Sequence, residues 1–152
     1  MLDFANIAEI FSDYKSKIGR LKKSQYEENM KDFRKKYGHY FDAMLEEVDR
    51  AEDKEAVARA IGEQLAEAVF EAMSTNSRFF GRKIKGTVQT DLNIFMIYYV
   101  FPAILLTDHM QAVCLCDNIR DSWKANFKGA DIQYADYRTM YDNFQEKLLG
   151  IM

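Results

Sequence analysis

The residues best suited to metal or thiol chemistry crowd one short stretch: Asp108, His109, Cys114, Cys116 and Asp117. Their spacing argues against that chemistry. On a helix, Cys114 and Cys116 stand about 200° apart around the axis, so one metal ion cannot take both. His109 and Cys116 share a face but sit about 10 Å apart along it. Cys116 instead continues the line of Ala112, Ile119 and Trp123, and a free cysteine on such a stripe behaves as a small buried hydrophobe. The chain has no Cys-x-x-Cys, no His-Glu-x-x-His and no Glu-x-x-His pair. The expectation is core thiols, Asp108 as a helix cap, and no catalytic, metal-binding or cofactor-binding residues.

Acid–base candidates are equally dispersed. The two histidines, His39 and His109, have no nucleophile placed beside them by sequence. Glu63, Glu67 and Glu71 recur at steps of four, which lines up carboxylates on one helix face. No histidine joins them, and a solvated face of like charge is the expected use.

One loop is chemically richer. Arg78, Arg82, Lys83 and Lys85 fall within eight residues, together with Phe79, Phe80 and two glycines. Cations and aromatic faces on a pliant backbone suit phosphate binding or base stacking. Gly81 and Gly86-Thr87 mimic the glycine spacing of a phosphate loop, but the lysine required between Gly86 and Thr87 is missing and no buried strand precedes Gly81. A solvated turn whose phenylalanines tuck into the core is the competing use. A third site is apolar: Phe95, Tyr98, Tyr99 and Phe101 crowd one helix near Met96. Core packing is the ordinary role of such rings, and a ligand pocket near Phe95, Tyr98 and Tyr99, shared with Met96 and Met110, is the alternative.

The elements that must hold these groups are helices. Phe4, Ile7, Phe11, Tyr14, Ile18 and Leu21 recur at steps of three and four, and so do Tyr134, Tyr137, Tyr141, Phe144, Leu148 and Ile151 near the end. Between these two seams, Ser24 with Glu27 predicts a capped helix start. That helix carries Tyr26, Met30, Phe33, Tyr37, Tyr40 and Met44, with Gly38 in its path. A polar break at Glu52-Asp53-Lys54 predicts a turn and a third helix, whose alanines allow a neighbour to approach closely. The segment from Ser74 to Thr87 is expected to be irregular, and Thr90 to cap an apolar helix centred on Ile94 to Leu106. Pro102 deletes a backbone donor there, so a kink or restart near Phe101 is expected. Asp108 with Gln111 predicts a further helix running to about Phe127.

Composition bounds the rest. At 152 residues a single domain, 1–152, is expected. A hydrophobic share of 48% excludes disorder, and one proline with seven glycines excludes turn-dense all-β and collagen-like folds. The expected fold is all-α: a single globular bundle of five or six helices around a buried, proline-kinked central helix. Net charge is −3, but nine basic against three acidic residues between Lys15 and Lys36 are followed by three against ten between Asp42 and Glu71. A hairpin of helices two and three would set these runs side by side and compensate them.

Two cysteines suit a reducing cytoplasm, the N-terminus lacks the pattern of a signal peptide, and a 13-residue apolar run is short for a bilayer. No membrane partner is expected. The expected function is non-enzymatic: a cytoplasmic bundle acting through protein–protein contacts, a homodimer among its forms, because two amphipathic seams offer more apolar face than one monomer needs. Anion, nucleotide or nucleic-acid binding by the basic loop is the first alternative, and a small-molecule sensor near Tyr98 the second.

Overall fold

The period-of-three-and-four seams fold as helices. The computed structural model describes residues 6–18, 23–77, 81–83, 86–105 and 110–126; at the ends of α1 and α6, in the first turn of α2 and at 75–77, 81–83 and 86–87 the backbone alone is described. Helix α1 (Asn6–Ile18) buries Ile7, Ile10, Phe11 and Tyr14 against the molecule's own core, packing on the third and fourth helices. The described half of the N-terminal seam is therefore internal. Phe4, Leu21 and the whole seam from Tyr134 to Ile151 lie outside the described residues.

Helix α2 (Lys23–Arg50) begins one residue before Ser24, so Ser24 sits in the first turn instead of capping it. It passes Gly38 without a break and buries Met30, Phe33, Phe41, Met44, Leu45 and Val48. Phe41, Leu45 and Val48 widen the expected seam into a broad core face. Lys54 closes the far end, its ammonium donating to the carbonyls of Asp49 and Ala51. Helix α3 (Lys54–Met73) starts where Asp53 accepts a hydrogen bond from the Ala56 N–H at 3.1 Å, a side-chain cap on an otherwise orphaned donor. Residues 51–53 thus join two helices that pack on each other, the expected hairpin.

The segment after α3 is not irregular throughout. Strands β1 (Thr75–Ser77) and β2 (Gly81–Lys83) pair antiparallel, with Thr75 opposite Lys83, Asn76 opposite Arg82 and Ser77 opposite Gly81. Strands of three residues carry too short an alternation to show in a sequence pattern.

The central helix is continuous from 86 to 105 but changes pitch twice. Helix α4 (Gly86–Phe95) starts four residues before Thr90, which lies inside it and not at its N-terminus. A π-helical segment follows (Met96–Val100), then α5 (Phe101–Leu105). The Phe101 N–H donates to the Met96 carbonyl, five residues back, and Phe101 itself stays helical at φ −62° and ψ −44°. Pro102 has no N–H to give to the Tyr98 carbonyl, and its ring would press on that carbonyl in an ordinary α turn. The wider turn ahead of it relieves the conflict and keeps the chain helical through the proline. Met96, Tyr99, Val100 and every residue of α5 are buried.

The whole run from Val88 to Leu105 is 18 residues, so its length alone does not separate it from a membrane span; over half of it is buried inside the fold, as a core helix is. Helix α6 (Ala112–Asn126) opens with the Leu115 N–H on the Gln111 carbonyl at 2.9 Å, later than the expected start at Asp108. Residues 106–109, Asp108 and His109 among them, lie outside the described residues. The architecture is all-α, with one short hairpin.

Candidate functional site

Among the described elements the most extensive pairing is α3 against α6, and its cause is steric. Ala58, Gly62 and Ala66 recur every four residues on α3 and are all buried. A Cβ at Gly62 would stand 2.7 Å from the carbonyl oxygen of Asn118, so the two backbones meet at a distance that only glycine permits. From α6, Ala112, Leu115, Cys116, Ile119 and Trp123 turn into the core, and Trp123 donates its indole N–H to Asn93 Oδ1 at 3.1 Å.

Along the open side of this seam runs a groove of about 520 Å³. Its α3 wall holds Glu55, Arg59, Glu63 and Glu67, one per helical turn; its α6 wall holds Asn118, Asp121, Ser122 and Ala125. Glu55 and Glu67 are twelve residues apart, about 18 Å by helical rise. Four carboxylates face one guanidinium among these lining residues. Glu63 and Glu67 are exposed and make no ion pair among the described residues; ion pairs instead run within single helices, Arg50 to Glu47 at 3.0 Å and Arg120 to Asp121 at 3.0 Å.

Two polar side chains form the groove's inner edge, Asn118 and Ser122, at 8% and 7% exposure. The Asn118 amide donates to the Cys114 carbonyl at 2.9 Å and approaches the Cys114 sulfur at 3.7 Å. That use of its NH₂ leaves Oδ1 as the side chain's acceptor. At one end the half-buried Cys114 thiol lies 3.6 Å from Glu55 Oε2. Burial pushes this thiol up from its ordinary pKa, and the Glu55 carboxylate adds to the rise. Cys116 is fully buried, and burial holds its thiol well above the ordinary range. Neither thiol is poised as a nucleophile, which needs a lowered pKa. Among the described residues no three histidine, cysteine or acidic side chains gather to hold a metal.

The sequence candidates are placed differently. Arg82 and Lys83 are neighbours in β2, while Arg78 and Lys85 lie outside the described residues, so these four cations are not seen to converge. Phe95 and Tyr99 are buried in an aromatic cluster centred on Phe33, whose ring lies 5.7 Å from Phe95, 5.4 Å from Tyr99, 5.2 Å from Tyr14 and 5.9 Å from Phe41. Tyr98 is half-buried at the edge of the same core. Met96 is buried, whereas Met110 is 91% exposed. Lys36 sits over the Tyr37 ring at 5.4 Å.

Sequence reasoning found Glu63 and Glu67 by their step of four but not the α6 wall. Its signal was there, in Asn118, Asp121, Ser122 and Ala125 at steps of three, one and three opposite the Ile119 stripe. Nothing local says that this polar stripe meets the glutamates. No family model matches the chain, and no curated protein or solved structure matches it either.

Proposed function

We propose that this chain works by protein–protein contact and not by catalysis, and that its first partner is a second copy of itself in the cytoplasm. The observation that carries the reading is the use of the apolar seams. The described part of the N-terminal seam is buried against α3, α4 and the central rings, so its partners are already within the molecule. The chain still carries a second seam of the same period, Tyr134 to Ile151, rich in the tyrosines that favour interfaces. The dispersed titratable groups support the non-catalytic half of the reading, and the two free thiols support a reducing compartment.

The test is the mass of the full chain in solution beside a Tyr137→Glu/Phe144→Glu variant. Wild type is expected to sediment as a dimer and the variant as a monomer with unchanged helicity. A wild-type monomer at every concentration contradicts self-association.

A second reading has one observation in its favour. The paired strands place the backbone of Arg82 and Lys83 in a ladder, which favours anion binding by Arg78, Arg82, Lys83 and Lys85. It predicts a salt-sensitive thermal shift with nucleotides or short RNA that an Arg82→Ala/Lys83→Ala variant loses.

A further inference from the structure

Helix α2 carries two features that work against its own stability, one turn apart. The first is a cation. Arg34 is half-buried, yet its guanidinium makes no hydrogen bond or ion pair among the described residues. Burial pulls its pKa down from the ordinary value, as it does for a charge that has lost water, and the charge of Asp42 opposes that fall. Asp42 stands eight residues on, about 12 Å along the axis, and forms no ion pair with Arg34. A guanidinium has five N–H donors to satisfy, and withdrawing it from water without a counter-ion is unfavourable.

The second feature is Gly38, a poor helix former in the middle of a 28-residue helix. At Gly62 a close backbone demands glycine; at Gly38 a Cβ would meet nothing nearer than Arg34 Cγ at 3.8 Å, an ordinary contact. What the glycine does is leave one flank of the Arg34 side chain uncovered. Local rules broken side by side are the pattern of a place shaped by something other than folding.

Two more cations adjoin it. Residues three and four apart on a helix are surface neighbours, so the half-buried Lys31 stands beside both Arg34 and the exposed Lys35. Neither lysine makes a hydrogen bond or ion pair among the described residues.

We propose that Lys31, Arg34 and Lys35 bind the phosphate group of free phosphate or of a small phosphomonoester. The planar guanidinium takes two oxygens side by side, and the two ammonium groups meet the remaining oxygen and the second negative charge. A carboxylate, with two oxygens and one charge, would satisfy the arginine and leave both lysines as they are. A nucleic-acid backbone offers singly charged diesters and has the same shortfall. This site is separate from the basic hairpin and does not depend on self-association.

Thermal melting of the full chain with inorganic phosphate, phosphoserine or short RNA, each against sodium chloride at equal ionic strength, tests the site. Phosphate and phosphoserine are expected to stabilise beyond chloride, with affinity falling at least about tenfold in Arg34→Gln and about threefold in Lys35→Gln. Gly38→Glu keeps all three cations but sets a carboxylate one turn from Arg34, so it is expected to abolish the phosphate effect at wild-type helicity. Arg82→Ala/Lys83→Ala is expected to keep it. A response to phosphate no larger than to chloride overturns the proposal, and so does a response to RNA alone. A phosphate effect that survives Arg34→Gln also overturns it. If Arg34→Gln does not fold, an effect undiminished in both Lys35→Gln and Gly38→Glu does the same.

Discussion

Gly62 shows how one residue sets the distance between two helices. With a Cβ 2.7 Å from the Asn118 carbonyl, α6 must move away from α3 or distort. Gly62→Ala is expected to cost about 1–3 kcal/mol, read from urea denaturation. Gly38 is the internal control: a Cβ there meets nothing closer than Arg34 Cγ at 3.8 Å. Gly38→Ala is expected to stabilise by about 0.5–1 kcal/mol, since alanine is the better helix former. Cys114 offers a second residue-scale check. Replacing the Glu55 carboxylate by an amide, Glu55→Gln, removes one cause of the raised thiol pKa and leaves burial in place. Native Cys114 is then expected to react with a thiol reagent at pH 8 about two- to tenfold faster, while Cys116 stays protected.

At the scale of elements, the helices and the turn at Glu52-Asp53 were legible, and the other junctions were not. Ile7, Phe11 and Tyr14, or Ile61, Leu65 and Val69, announce a buried face because the 3.6-residue period depends on sequence alone. The alanine-rich face of α3 announced a close neighbour, and its partner α6 became known from the fold. The start of the central helix was misplaced at Thr90 because a capping residue type also occurs inside helices. The π segment before Pro102 had only the proline as a signal: the backbone answers the missing donor by changing its hydrogen-bond spacing, and several local solutions share one sequence. The candidate groove was half legible for the same reason, since the step-of-four glutamates are local and their meeting with Asp121 is tertiary. Trp123 couples two of these elements through its 3.1 Å hydrogen bond to Asn93. Asn93→Leu deprives the indole N–H of this acceptor and is expected to cost about 1–3 kcal/mol, with a change in the tryptophan emission.

The whole molecule responds to pH through its buried weak acids. Burial, reinforced by Asp32 and by the neighbouring phenols of Tyr37 and Tyr99, raises Tyr14 from 10.0 to about 12, and burial raises Cys116 above 9.0. The folded chain therefore holds these protons at pH values where the unfolded chain has released them. Their stabilisation is complete below pH 9 and is lost as pH climbs toward 12. The urea midpoint is expected to fall over that range, and to fall less steeply in Tyr14→Phe, once the offset at neutral pH is subtracted.

The same scale decides the functional reading, because self-association is a property of the chain as a whole. Light scattering on the full 152-residue chain, over a hundredfold range of concentration at low salt, tests it most directly. The account predicts a mass approaching twice 17.8 kDa as concentration rises. A mass that stays at 17.8 kDa throughout contradicts it.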